Sequence, residues 1–359
     1  MGPLAGSKVI ELGGIGPAPF GAALLADLGA EVVRIERVGG GWGLPDELDP
    51  TSRAGAPRLG VDLKDPEGRA LAVALIGSAD VVIEAFRPGV VERLGLGPAA
   101  MTAAYPRLIY ARMTGWGQEG PMATEAGHDI NYVGLVGALH ATGRADDRPV
   151  PALNLVADYG GGALYLVVGV LAALHARDRS GKGDVIDVAM VDGVASLMAP
   201  TFQMFEAGFW VDEREANLLD GGAPFYTTYE TADGRYVAVG ALEPAFYDAL
   251  LMGLELGETD LPDRFDRSRW SELRASIAAR FITRTRDEWG SLFAGRDACV
   301  TPVLALEEVT AEATEEVVAE TEDTAEEAAA EAEEAPEEVV EEVVAEAEEA
   351  SDEEAEKKD

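Results

Sequence analysis

The feature that most constrains the fold is a repeated alternation of short apolar runs and amphipathic stretches over the first 190 residues. "KVIEL" (8–12) ends at Gly13 and Gly14, "PFGAALLADLG" (19–29) has helical periodicity and a glycine stop, and "EVVRIE" (31–36) reads as the next strand. "DPEGRALAVALIGSA" (65–79) is a helix with acids in its first turn, where they oppose the positive end of the helix dipole. "DVVIEAF" (80–86) and "LIYARMTGWG" (108–117) follow as strands, and "DVIDVAMVDGVASLM" (184–198) as a strand then a helix. Between them, 157–177 ("ADYGGGALYLVVGVLAALHAR") predicts a long buried helix that starts after a polar cap. Such alternation calls for a parallel sheet covered by helices on both faces. The expected fold class is α/β: a large Rossmann-like domain plus a smaller α+β domain.

The large domain is expected over 1–198, with a connecting helical segment over 199–222. A smaller α+β domain over 223–306 opens with two strand-like runs flanking Asp233-Gly234, a strong hairpin signal. From Glu307 to Asp359 the chain collapses into Glu, Ala and Val, with 25 acidic residues against two lysines. That segment holds −23 of the total −38, so the preceding 306 residues carry −15. With no aromatic residue after Phe293 it has little with which to build a core, and it reads as a solvated, partly helical tail. The acidic balance argues against nucleic acid or an anionic membrane as partner. No run of eighteen apolar residues and no signal-peptide layout appear, and the single Cys299 excludes an internal disulfide and a cysteine-rich metal site. The expected compartment is the cytoplasm.

"ELGGIGPAPFG" invites a dinucleotide reading, since it lies between a strand and a helix and Glu36 follows about 20 residues later. The third glycine of G-x-G-x-x-G would fall on Pro19, so a tight strand-to-helix turn is favoured over a phosphate cradle. Of three histidines, His175 fits a packed helix residue and His140 a helix end. His128 stands apart in "AGHDINYVG", between Gly127 and Asp129 with Asn131 and Tyr132 close by. Imidazole titrates near ~6.5, so it can take and return a proton at neutral pH. From the residues alone a catalytic and a structural role weigh equally.

Asp158, in "LNLVADYGGG", suits an N-cap; it equally suits a carboxylate that a helix dipole keeps ionised, with glycines letting a substrate come close. Glu243, in "GALEP", opens a helix after the hairpin, which is commonplace.

Taken together, "ARMTGWGQEGP", "AGHDINYVGLVG", "PALNLVADYGGG", "LDGGAPFYTTYETADGRYVAVGALEP" and "DACVTPVLALEEV" resemble the α-methylacyl-CoA racemases of the family III CoA-transferase superfamily, from residue 1 to about 310. The resemblance implies that superfamily's fold and an interlocked homodimer. It also implies epimerisation of 2-methyl-branched acyl-CoA thioesters, with coenzyme A as part of the substrate and no metal or redox cofactor. It makes His128 and Asp158 the two bases that flank a planar enolate, one removing a proton and the other returning one. Glu243, reaching from the partner, orients His128, and Asp129 joins that network. Arg37, the Val61-Asp62-Leu63-Lys64 segment and Arg93 flank the adenine and phosphates, and Gly127, His128, Asp129, Ile130, Asn131 and Tyr132 line the thioester pocket. Amides near Asp158 are expected to stabilise the enolate oxygen.

Two alternatives stand beside this. Transferases of the superfamily use the aspartate matching Asp158 as a nucleophile, with an aromatic residue usually at the position of His128. A homologue that kept the fold without the chemistry is the second. The acidic segment also replaces the chain with which family members complete the large domain, which predicts retained chemistry, exposed apolar surface and lowered stability.

Overall fold

The computed structural model describes residues 2–39, 56–257 and 261–310. They fall into two compact units, Met1–Thr227 with Pro262–Leu273, and Thr228–Leu261 with Arg274–Asp359. The acidic segment lies outside the described residues from 311 onward, and with it the expectations about its state and effect on stability.

The first unit is built on six parallel strands: β1 (Lys8–Leu12), β2 (Glu31–Glu36), β3 (Arg58–Gly60), β4 (Val81–Glu84), β5 (Ile109–Thr114) and β6 (Val185–Ala189). Their order is β3-β2-β1-β4-β5-β6, the doubly wound Rossmann arrangement expected from the alternation. β3, a three-residue edge strand, has no apolar run of its own and was not foreseen. The helices are α1 (Pro17–Asp27), α2 (Pro66–Gly77), α3 (Val90–Arg93), α4 (Pro98–Ala104), α5 (Asp129–Leu135), α6 (Tyr165–Ser180), α7 (Met190–Leu197) and α8 (Ala199–Glu206). Only 199–206 of the expected connecting segment is helical.

Because strand side chains alternate between faces, the sheet carries two cores. Val9, Val81, Ile83, Ile109 and Ala111 belong to one, with Ala22 and Leu25 of α1 and Leu166 and Val170 of α6. Ile10, Leu12, Val82 and Tyr110 belong to the other, with Ala72 and Ile76 of α2 and Met101 of α4. α2 starts as its sequence predicts: the Asp65 side chain accepts from the amides of Glu67 and Gly68. Chain connections run in opposite directions from β1 and β4, which are neighbours, so a crevice opens at their carboxyl ends.

The long helix departs from expectation. It begins at Asn154, not Asp158, and its first ten residues, Leu155–Leu164, form a π-helix that passes into α6. Its inner face is buried, but Leu155, Leu164 and Val168 are more than half exposed, so it is not the fully buried helix expected. Leu155–Ser180 is long and apolar enough to cross a membrane by length and composition alone, while Leu166, Val170 and Ala173 pack in the core. The "YGGG" glycines serve packing: a Cβ on Gly161 would come within 2.8 Å of the Val194 amide, and one on Gly193 would overlap the Gly161 carbonyl.

A separate three-stranded sheet holds β7 (Tyr226–Glu230), β8 (Tyr236–Gly240) and β9 (Val300–Pro302), in the order β7-β8-β9. Gly234 sits at φ +71° in the expected hairpin turn. α9 (Pro244–Gly253), α10 (Trp270–Phe281) and α11 (Arg286–Phe293) follow in sequence. Phe281, Trp289 and Phe293 are almost wholly buried.

Gly193→Ala should destabilise the protein by about 3 kcal/mol or prevent folding, because the added methyl meets backbone that cannot move aside. Urea unfolding against wild type measures it.

Candidate active site

The site forms where α5 and the π-helix begin. His128 is the N-cap residue of α5 in extended backbone, its amide donating to Asn131 Oδ1 at 3.0 Å. Its ring is exposed. Tyr132 is 4% exposed; its hydroxyl donates back to the Gly127 carbonyl at 2.5 Å, fixing the loop that carries His128. Its ring packs edge-on against Trp116, with centroids 4.6 Å apart. A Cβ on Gly127 would strike both rings, so the glycine before the histidine is a steric requirement. Burial, helped by Asp158 and Asp129, pushes the Tyr132 phenol up to about 12 and keeps it a donor; Arg87 acts the other way.

Asp129 ties the two elements together. Its buried Oδ2 accepts from the amides of Ala157 at 2.7 Å and Asp158 at 2.9 Å. The first turn of a helix leaves amides without internal partners, and here a carboxylate from another helix takes two of them. The residue next to the imidazole therefore sets the position of the backbone that carries the acid. The amides near Asp158 expected to meet an enolate oxygen include these two, and Asp129 already occupies them.

Asp158 is half-buried in the first turn of the π-helix, whose cap residue is Asn154; the N-cap reading is corrected. Asn154 Nδ2 donates to Asp158 Oδ2 at 3.1 Å. The same oxygen faces the glycine turn after β1, where a Cβ on Gly16 would lie 3.3 Å away. Gly16, at φ +68°, is thus the glycine that lets another group approach the carboxylate, a role expected of the glycines after Asp158. Arg34 holds that turn from below, its Nη2 donating to the Gly14 carbonyl at 2.8 Å. Burial raises the Asp158 carboxyl from its ordinary 3.8, and Asp129 adds to the rise; the Asn154 hydrogen bond and the nearby His128 oppose it. The net direction is upward: burial with Asp129 outweighs the Asn154 hydrogen bond and His128.

The other predicted residues are placed as follows. Arg37 is exposed at the end of β2. The Val61 amide donates to the Glu36 carbonyl, Val61 and Leu63 pack into the second core, and Asp62 accepts from the Lys64 amide. Arg93, exposed in α3, lays its guanidinium over Gly89. Ile130 and Asn131 are exposed on α5. Arg37, the 61–64 segment and Arg93 all follow carboxyl ends of strands in the one sheet. Glu243 belongs to the second unit, where it is exposed as the N-cap of α9 and lies near Cys299. His140 stands in a turn beyond α5, its Nε2 3.3 Å from Asp212 Oδ1, and His175 is exposed beside Arg179; neither has the helix-end or packed role expected.

Three participants escaped the sequence reading: Asn154, Gly16 and Arg87. Asn154 was the most findable, since spacing of four places it one helical turn before Asp158.

The fold and site define a doubly wound α/β protein with an imidazole and a raised-pKa carboxyl on one rigid frame at the carboxyl edge of its sheet. The model of CoA-transferase family III matches residues 4–344, and the chain belongs to that family. It is 46% identical to the α-methylacyl-CoA racemases of Mus musculus and Homo sapiens, over 85% of this chain and 78% and 79% of theirs. It is 33% identical to the succinyl-CoA–D-citramalate CoA-transferase of Chloroflexus aurantiacus, over 80% of this chain and 74% of that one. Among solved structures, a CAIB/BAIF family protein from Brucella suis aligns with a TM-score of 0.72 at 29% identity, covering 86% of each chain.

Asp129→Ala should cost about 3 kcal/mol, since it strands one buried and one part-buried amide. Thermal unfolding will show it, and Asp129→Asn, which keeps an acceptor, should recover much of the loss.

Proposed function

We propose that the protein is a racemase that interconverts the R and S forms of 2-methyl-branched acyl-CoA thioesters by 1,1-proton transfer. The observation that carries this reading is the pair itself: an imidazole and a half-buried carboxyl with a raised pKa, held together by Asp129. The identity to the mouse and human racemases supports it over the transferase alternative.

In the proposed cycle the thioester carbonyl acidifies the hydrogen on C2. His128 or Asp158 removes it from one face, a planar enolate forms, and the other group, protonated beforehand, delivers a proton to the opposite face. Burial shifts the Asp158 carboxyl upward from its ordinary range, the direction that favours a group able to hold as well as release a proton. Asn154 and the Gly16 turn position Asp158. The enolate oxygen needs a donor, and the first-turn amides of Asp129 and Ile130, beside His128, have no acceptor within their helix. Arg37, Lys64 and Arg93 are assigned to the phosphates of coenzyme A, where guanidinium groups bind two oxygens at once. Proton transfer in this scheme uses protein side chains alone, with no metal or redox cofactor.

We further propose the interlocked homodimer, in which Glu243 of one chain orients His128 of its partner, and a cytoplasmic location. Leu164 and Val168 on the π-helix and α6, and Leu197, Phe202 and Phe205 on α7 and α8, are large apolar side chains left exposed in the single chain, as burial against a second copy would require.

The deciding experiment incubates one epimer of a 2-methylacyl-CoA in heavy water, with and without a free carboxylic acid. Racemisation with deuterium entering C2 and no need for the acid is expected. Movement of coenzyme A to the acid without exchange at C2 would overturn the reading in favour of a transferase, and inactivity of the folded protein in favour of a homologue without the chemistry. His128→Ala and Asp158→Asn should each lower kcat by roughly 10²- to 10⁴-fold.

Asp158→Asn should also be more stable than wild type at pH 7. The native chain holds the Asp158 proton more tightly than the unfolded chain, so ionisation at neutral pH costs folding free energy. Below the ordinary pKa of 3.8 both states are protonated and the cost disappears. Unfolding midpoints of the two proteins, measured from pH 7 downward, should converge below about pH 4.

A further inference from the structure

One row of charges in the sheet has no part in the proposed proton transfer. Glu84 on β4, Arg112 on β5 and Asp187 on β6 are register partners across three adjacent strands. Glu84 and Arg112 share the sheet face of Val82 and Tyr110, in the second core. Arg112 Nε donates to Glu84 Oε1 at 2.7 Å, and its Nη2 lies 2.9 Å from Glu92 Oε1 in α3. Glu84 is fully buried and Arg112 is 7% exposed. Burial drives the Glu84 carboxyl upward against the pull of Arg112.

Such a buried pair is weak support for stability, because apolar residues of similar volume often serve as well. The remaining bonds of these acids indicate another use. Glu84 Oε2 accepts from the Phe86 amide at 2.8 Å, and Asp187 Oδ2 from the Gln118 amide at 3.3 Å. Each amide opens a loop at the carboxyl end of its strand. The loop after β4 carries Arg87, whose charge is felt at Tyr132, and leads into α3, where Glu92 precedes Arg93. Arg112 therefore engages both ends of the 86–93 strap, by a hydrogen bond to Glu84 at its start and by an ion pair with Glu92 at its end.

We propose that Arg112 is a positioning residue for the phosphate-bearing end of the substrate: with Glu84 and Glu92 it fixes the 86–93 strap, and so places Arg87 and Arg93 at the carboxyl edge of the sheet. The inference rests on the coenzyme A thioester reading above. Arg112 touches neither the reacting carbon nor its bases. Its loss should weaken binding of the substrate's remote part and leave the chemical step intact, which raises KM without lowering kcat.

The test uses the full chain with Arg112→Met, Arg112→Lys and Glu92→Gln. Calorimetry measures binding of free coenzyme A, and racemisation kinetics give kcat and KM. Arg112→Met should raise the Kd for coenzyme A and the KM together by roughly tenfold with kcat within about twofold, since a misplaced strap loses orientation of the phosphates alone. Arg112→Lys should recover part of the loss. Glu92→Gln, changing a side chain that is 44% exposed, should show a smaller shift in the same direction and carries the test should Arg112→Met fail to fold. Variants that bind coenzyme A as tightly as wild type, or that lose kcat with KM unchanged, would overturn the proposal while leaving the racemase reading standing. Wild-type protein that binds no coenzyme A would remove both.

Discussion

The contact between the Asp129 carboxylate and the amides of Ala157 and Asp158 is the constraint on which the site depends. It joins two helices that start 26 residues apart, at Asp129 and Leu155, and approach from different loops. Neither helix alone fixes the separation of His128 from Asp158. The tie does, because one end adjoins the histidine and the other is the backbone of the aspartate. Charge-assisted bonds to amides are short and directional, so they transmit position well.

Much of the scaffold was legible because parallel strands buried on both faces leave a plain trace. "EVVRIE", "DVVIEAF" and "LIYARM" are such runs, and all three lie in the six-stranded sheet. The reading failed where local pattern and tertiary partner compete. Asp158 looks like a cap because Asp before a small-residue helix usually is one. The cap falls at Asn154 because the Asp129 carboxylate satisfies the first-turn amides from outside, a partner that no window of sequence around 158 contains. The glycine triplet suits substrate approach as well as packing when read locally, and in the structure Gly161 and Gly162 pack closely against α7. His128 was picked out by its neighbours Asp129 and Tyr132, and each of those has a defined bond at the site.

The electrostatics of the pair follow from placement. Asp158 has one side-chain donor and a backbone-lined wall at Gly16, and burial governs its protonation. Glu84 is buried more deeply but has Arg112 to hold it. The two acids thus differ in whether a guanidinium stands beside them: Glu84 is paired with Arg112 and accepts from the Phe86 amide, whereas Asp158 has the neutral Asn154 amide as its side-chain donor.

The π-helical form of Leu155–Leu164 carries a last consequence. Wider turns fit more residues into the same length of axis than an α-helix does. Deleting a single residue between Gly160 and Leu164 would let the segment relax to ordinary α geometry, yet it would swing everything on its amino-terminal side about 100° around the axis. The carboxylate would then leave its place beside Asn154 and the Gly16 turn. The number of residues in the wide turns is therefore tied to the direction in which the acid faces.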